Sequence, residues 1–143
     1  MNLHPVKLAM LTLSVALLSG CVADTDGGRE SSSTPVQSVT VTESDQTVDF
    51  KDDQKLIIRS ENSASLSLGG SGTCPPVIES ATYKDNTLKV VLDSHIYDGQ
   101  MCTMDYRIKT FDFTLTGDRF SDDTTGQLIN GSDVINLEVV KFK

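Results

Sequence analysis

The chain is poor in several residue types that particular folds and functions need. It contains no tryptophan, so the buried tryptophan typical of immunoglobulin domains is not available. Its 12 Lys+Arg are outnumbered by 20 Asp+Glu, which argues against nucleic acid as a partner because such binders need a basic surface. After residue 21 no segment repeats apolar residues with a helical period, so we expect no substantial helix.

Histidine is also scarce, and this restricts the catalytic sites that the chain can build. His95 is the single histidine after residue 21, and no Gly-x-Ser-x-Gly sequence is present. A zinc site needs three or four converging ligands, and Gly69–Gly72 lacks the Gly-Lys-Ser/Thr ending of a phosphate loop. We therefore predict that the protein is not an enzyme and that it holds no cofactor and no metal ion. An envelope hydrolase that uses His95 is an alternative.

One acidic segment leaves a metal alternative open. Asp118, Asp122 and Asp123 lie close together in the sequence, and carboxylates of this kind bind calcium. Their spacing does not match the Asp-x-Asp-x-Asp-Gly pattern of a calcium loop. A solvated acidic loop is the interpretation that we favour.

The beginning of the chain carries a targeting signal. Lys7 precedes an apolar run from Leu8 to Leu18, which is about 11 residues long and shorter than the roughly 20 that cross a bilayer. The run ends at Leu18-Ser19-Gly20-Cys21, which resembles the lipobox of bacterial lipoproteins. The resemblance implies that residues 1–20 are a cleaved signal peptide and that Cys21 carries a diacylglycerol. The alternative is an ordinary signal peptide with a chance cysteine.

Residues 21–37 are predicted to be the lipidated cysteine and a flexible tether. The segment from Val22 to Pro35 is rich in Gly, Ser, Thr and Asp and has too few apolar residues to bury a face. A chain of this length reaches about 20 Å on average. Removing residues 1–20 takes away Lys7 and no acid, which leaves 11 Lys+Arg against 20 Asp+Glu and a formal charge of −9. This acidity favours solubility and disfavours adsorption to anionic headgroups.

The roles of the other two cysteines depend on the assignment of Cys21 to lipid. Cys74 and Cys102 then remain as an even pair in an oxidising compartment, which favours a structural disulfide. Two free thiols acting as a redox pair are the alternative, although redox motifs usually place their cysteines two residues apart.

Residues 38–143 are predicted to form one β domain. Alternating apolar residues and β-branched enrichment indicate strands, and about seven or eight short strands favour an antiparallel β-sandwich or a small barrel. The predicted strands are Ser38–Thr42, Gln46–Phe50, Lys55–Ser60, Ser63–Leu68, Pro76–Tyr83, Thr87–Asp93, Arg107–Thr116 and Val134–Phe142.

Turn residues separate the predicted strands. Lys84-Asp85-Asn86 is expected to close a hairpin, and Asp52-Asp53-Gln54 to close another, because Asp and Asn tolerate the positive φ of such turns. Gly69–Gly72 is expected to be a flexible connection. Asp118–Gln127 is expected to be a loop with at most one short turn, and Asn130-Gly131 to close a long loop before the last strand.

Part of the domain resembles a group of small lipoproteins of Gram-positive bacteria, of the actinobacterial type. The similarity runs from about Leu56 to Leu115 and depends on three segments: Gly70-Ser71-Gly72-Thr73-Cys74-Pro75-Pro76, Leu88–Leu92 and Cys102-Thr103-Met104-Asp105-Tyr106. The resemblance implies secretion, a disulfide between Cys74 and Cys102 and a β domain. It implies no established activity.

The segment Ser94–Met104 contains the strongest candidates for a contact surface. Ile96, Tyr97 and Met101 are apolar residues beside Cys102, and aromatic and Met residues on a pinned loop make good contact surfaces. The alternative is that these residues cap the end of the core. A binding module predicts a solvent-exposed apolar patch around Tyr97, whereas a purely structural lipoprotein predicts that Ile96, Tyr97 and Met101 are all buried.

These observations predict a lipoprotein anchored through Cys21 at the extracytoplasmic face of a bacterial membrane. In a one-membrane organism this is the cell membrane, and in a two-membrane organism it is the outer membrane. The predicted function is a non-enzymatic binding or accessory module for an envelope protein or a wall component. A purely structural envelope lipoprotein is the alternative, followed by the hydrolase.

Overall fold

Alternating apolar residues produce eight strands in the part of the chain that the structure describes. The structure is a computed structural model and describes residues 36–44 and 50–141. The strands are β1 (Gln37–Ser44), β2 (Lys55–Ser60), β3 (Ser63–Ser71), β4 (Ile78–Lys84), β5 (Thr87–Leu92), β6 (Tyr106–Leu115), β7 (Thr125–Asn130) and β8 (Asp133–Lys141), with a 3-10 turn at Phe50–Asp52. The prediction of an all-β domain is confirmed. None of the helical segments described there is long and apolar enough to span a membrane.

The strands form one closed barrel. Their order around it is β1-β4-β5-β7-β8-β2-β3-β6, and β6 pairs again with β1. Closure satisfies the backbone groups on both sides of every strand, which selects the barrel over the sandwich. Six neighbouring pairs are antiparallel, as expected, whereas β2–β8 and β5–β7 are parallel. The parallel pairs arise because closure makes neighbours of strands that are distant in sequence.

Inward-facing side chains fill the barrel. Phe113, Leu66 and Val90 have no exposed surface. The alternating polar residues Ser65, Ser67 and Thr110 of β3 and β6 are buried as well, with Ser67 hydrogen-bonded to Thr110. Burying one such side chain contributes about 1.5–3 kcal/mol. The buried apolar residues are Leu56, Ile58, Ala64, Leu66, Leu68, Tyr83, Leu88, Val90, Phe111, Phe113, Leu115, Phe120, Leu128 and Leu137.

Strand β7 was missed by the sequence prediction, which placed its first residues in a loop. Gly126 breaks the apolar alternation because it occupies an inward position without a side chain. A Cβ there would lie 2.9 Å from the side chain of Leu56 and 3.1 Å from that of Leu137, so these inward-facing leucines fill the space that a side chain at this position would need. Strand Gln46–Phe50 was also expected; residues 45–49 lie outside the described residues, and Phe50 begins the 3-10 turn.

The turns agree with the sequence at one position and differ at three. Asp85 and Asn86 have φ values of 49° and 60° and close the β4–β5 hairpin, as predicted. Asp52–Gln54 does not close a hairpin, because β2 already pairs with β3 and β8. Asn130-Gly131 connects β7 directly to β8 and therefore closes no long loop. Gly69–Gly72 is not a flexible connection, since β3 continues to Ser71.

The two ends of the barrel differ. At the N-terminal end, β1 begins with Gln37 opposite Tyr83, and β8 ends with Lys141 opposite Ile58. Phe120 closes this end by packing edge-on against Tyr83, with ring centroids 5.2 Å apart. We call the opposite end, where β3 ends and β6 begins, the disulfide end. The predicted signal peptide, Cys21 and most of the tether lie outside the described residues.

Candidate functional site

Two loops cover the disulfide end of the barrel. The first, Gly72–Val77, connects β3 to β4, and the second, Asp93–Asp105, connects β5 to β6. A disulfide between Cys74 and Cys102 joins them, with Cα atoms 5.5 Å apart, which confirms the predicted pairing. Both loops are held by strands that are adjacent in the closed barrel, so the bond joins segments that the fold has already brought together.

Two adjacent glycines near the end of β3 allow other side chains to pack directly against this strand. A Cβ at Gly69 would overlap the ring of Tyr106, which crosses the outer face of the strand. A Cβ at Gly70 would lie 2.7 Å from Pro76 of the first loop, on the opposite face. Each glycine therefore leaves room for a side chain that lies directly on the backbone of β3. This close packing explains why two glycines occur inside a strand.

Tyr106 is held in place by Asp53. The Tyr106 hydroxyl donates a hydrogen bond to one carboxylate oxygen of Asp53, and the backbone N–H of Gly69 donates to the other at 2.8 Å. The hydrogen bond to Asp53 raises the pKa of the Tyr106 hydroxyl above its usual value. The ring nevertheless keeps 52% of its surface exposed, so it lies beside the second loop as an oriented aromatic surface. The sequence analysis did not select Tyr106.

Asp105 clamps the two loops together without covalent bonds. Its carboxylate accepts hydrogen bonds from the Thr103 hydroxyl, from Arg107 Nε at 2.9 Å and from the Gly72 N–H at 3.1 Å. These donors, Thr103 first, lower the pKa of Asp105 to about 2. Thr103 also donates its N–H to the Thr73 hydroxyl at 2.9 Å, which ties the loops together a second time. A shallow cleft of about 410 Å³ lies between these residues.

The first part of the second loop is a hydrogen-bonded turn. Asp93 accepts hydrogen bonds from the backbone N–H groups of His95 and Ile96, each at 3.0 Å. His95 Nδ1 lies 2.9 Å from a carboxylate oxygen of Asp98, and its side chain is 84% exposed. Hydrogen bonding to Asp98 raises the pKa of His95, helped by the negative charges of Asp98 and Asp93. Among the described hydrogen bonds of the imidazole, none involves a serine hydroxyl.

The three predicted contact residues occupy different depths on the second loop. Ile96 is 45% exposed and Met101 is 97% exposed, whereas Tyr97 is partly buried. Tyr97 lines a groove of about 240 Å³ together with Pro75, Pro76 and Leu92. The purely structural alternative predicted that all three side chains are buried, and the exposure of Ile96 and Met101 does not fit it. The exposed patch was expected around Tyr97, whereas the exposed residues are its neighbours on the loop. Partner contact itself stays a prediction.

The acidic residues considered for calcium are exposed in the β6–β7 loop at the N-terminal end. Asp118 accepts a hydrogen bond from the Arg119 N–H at 2.7 Å. Within residues 36–44 and 50–141, no group of three or more His, Cys, Asp or Glu side chains converges in a way that would hold a metal ion.

The disulfide end therefore combines a preorganised pair of loops with apolar side chains directed to solvent. Such an arrangement presents exposed apolar side chains on a loop that also carries the carboxylates of Asp93, Asp98 and Asp105. Comparison of the chain with known protein families, with curated proteins and with solved structures found no match.

Proposed function

We propose that this protein is a lipid-anchored lipoprotein of the bacterial cell envelope and that its β domain binds a partner without catalysing a reaction. The partner surface is the Asp93–Asp105 loop, centred on Ile96 and Met101. The observation that carries the proposal is that these two apolar side chains are exposed on a loop pinned by the Cys74–Cys102 disulfide.

The rigidity of the loop supports a binding role. Ordering a flexible loop on association costs free energy, at about 0.5–1.5 kcal/mol for each immobilised side chain that was free before. The disulfide, the Asp105 clamp and the Asp93 turn hold the loop backbone before any partner arrives. Apolar side chains on such a preformed loop bind at a smaller entropic cost than the same side chains on a mobile segment.

The Asp93–Asp105 loop lies at the end of the barrel opposite to the point where the chain enters it, and this supports attachment through Cys21. The chain enters the barrel at Val36 and Gln37, which belong to the N-terminal end. Lipid attachment and partner contact then use opposite ends of one rigid barrel.

Charge favours a protein partner over an anionic wall polymer. The segment Asp93–Asp105 carries three aspartates and neither lysine nor arginine. A polyanion approaching Met101 would meet like charges, whereas a protein with an apolar patch and basic residues around it is complementary. We therefore propose a protein of the envelope as the partner.

Site-specific photo-crosslinking in living cells tests this function. A photoreactive amino acid replaces Met101 in the full chain, and in a second strain it replaces Asp123, which is exposed at the N-terminal end. We expect a discrete protein adduct from position 101 and none from position 123. Ile96→Ser should weaken the adduct, whereas Val36→Ser, which changes an exposed apolar residue at the N-terminal end, should leave it intact.

Two results would contradict the proposal. One is the absence of any adduct at position 101 while the protein is present in the membrane fraction. The other is the same adduct from positions 101 and 123, or equal loss of the adduct in Ile96→Ser and Val36→Ser, because the loop would then have no special part in the contact.

A further inference from the structure

Methionine is distributed unevenly in this chain. Of its four methionines, Met1 and Met10 precede the predicted lipidation site, and Met101 and Met104 lie in the Asp93–Asp105 loop. The buried core is built from Leu, Ile, Val, Phe, Tyr and Ala and contains no methionine among the described residues. Methionine usually fills gaps in cores, so its confinement to one surface loop is unusual.

Both loop methionines are open to solvent. Their side chains expose 97% and 103% of the reference surface, and they lie on either side of Cys102. The Cys102 sulfur is already oxidised in the disulfide. The thioethers of Met101 and Met104 are therefore the fully exposed sulfur atoms of this loop that are still at the lowest oxidation level.

From this placement we infer that Met101 and Met104 form a site of reversible sulfoxidation by peroxides. The thioether sulfur attacks one peroxide oxygen, so a sulfur–oxygen bond forms while the oxygen–oxygen bond breaks. The sulfur loses two electrons and the peroxide gains them. The departing oxygen takes up a proton and leaves as water, or as an alcohol from an organic peroxide. Sulfoxide reductases reverse the change.

Oxidation at this site changes the surface and spares the fold. A sulfoxide is polar, so oxidation makes two of the exposed apolar side chains of the loop hydrophilic, while Ile96 stays apolar. The barrel core contacts neither side chain, because both are fully exposed. A weaker affinity for the partner after oxidation is a consequence that rests on the proposed function, whereas the modification itself does not.

Mass spectrometry of the full-length protein in mild detergent tests the site. The protein is treated with hydrogen peroxide together with free methionine, and the addition of one oxygen atom at each methionine is followed with time. We expect both residues to react within about threefold of the rate of free methionine. The circular dichroism spectrum and the melting temperature should stay unchanged. Met101→Leu and Met104→Leu should each remove one of the two additions that map to the Asp93–Asp105 loop.

The inference is overturned by either of two outcomes. Protection of Met101 or Met104 by more than about tenfold relative to free methionine would show that the structure shields the thioether. A fall in melting temperature on oxidation, absent from the Met101→Leu and Met104→Leu double variant, would show that the residues belong to the folding core. Neither outcome depends on crosslinking at position 101, so failure of the proposed function is recognised separately.

Discussion

Removing the disulfide tests how the loops and the barrel share the stability of the domain. The perturbation is the double variant Cys74→Ser and Cys102→Ser. The two residues are separated by 28 positions. In the chain-entropy description, losing a cross-link of that span destabilises the folded state by about 3.5 kcal/mol. For a domain of this size the melting temperature then falls by about 15 °C. We expect the barrel to persist, because its closure depends on backbone pairing and not on the loops.

Urea unfolding followed by circular dichroism measures the effect. Because the chain has no tryptophan, fluorescence must report on its three tyrosines, and Tyr106 lies next to the loops. Wild-type protein in the presence of a reductant gives a second measurement of the same quantity. A loss smaller than about 1 kcal/mol would refute the argument, because the Asp105 clamp alone would then suffice to organise the loops. Loss of the β spectrum in the absence of urea would refute the independence of the barrel.

Three further predictions concern the anchor, the N-terminal end and the exposed histidine. Cys21→Ala should abolish lipid labelling and release the protein from membranes, and unchanged membrane retention would contradict the anchor. Phe120→Ala should lower the free energy of unfolding by about 3–4 kcal/mol, since it removes the buried ring that packs against Tyr83. A loss near zero would contradict the role of Phe120 in closing the N-terminal end of the barrel. By NMR titration, Asp98→Asn should lower the raised pKa of His95 toward its ordinary value of 6.5. The sign follows from linkage: the contact stabilises the folded state below pH 6.5, and this effect is lost as pH rises through the raised pKa.

Much of the fold could be predicted from local patterns. Seven of the eight strands coincide with predicted ones within a few residues, because alternation such as Leu56 and Ile58, or Phe111 and Phe113, is a local property of the chain. The Asp85-Asn86 hairpin was predicted for the same reason, since these residues accept positive φ without help from the rest of the molecule. The disulfide pairing followed from the number of cysteines left after Cys21.

The errors share a different origin. Gly126 and the pair Gly69 and Gly70 look like loop residues when read locally. In the barrel each is a strand residue whose missing side chain admits a neighbour, Leu56 for Gly126 and Tyr106 and Pro76 for the pair. The second hairpin was wrong, and the two parallel pairs were not predicted, because strand order depends on which ends meet when the barrel closes. Contacts between residues distant in sequence decide all of these features.

For the candidate site too, some features could be predicted from the sequence and others could not. Composition alone selected Ile96, Tyr97 and Met101 as apolar residues beside a bonded cysteine, but could not decide between a cap and a contact surface. That choice depends on the solvent exposure of each side chain, which is set by the Asp93 turn, the Asp105 clamp and the loop containing Pro76. Tyr106 escaped selection because its orientation depends on Asp53, which lies 53 residues earlier.

By itself, then, the sequence determined the all-β character of the domain, most of its strands and the Cys74–Cys102 pair. These properties arise from side-chain alternation, turn residues and a cysteine count, which are all encoded over short stretches. The tertiary structure alone decided the closed barrel, the parallel pairs β2–β8 and β5–β7 and the exposure of Ile96, Met101 and Met104. The physical reason is that barrel closure and solvent exposure depend on the packing of distant segments, which no local pattern contains.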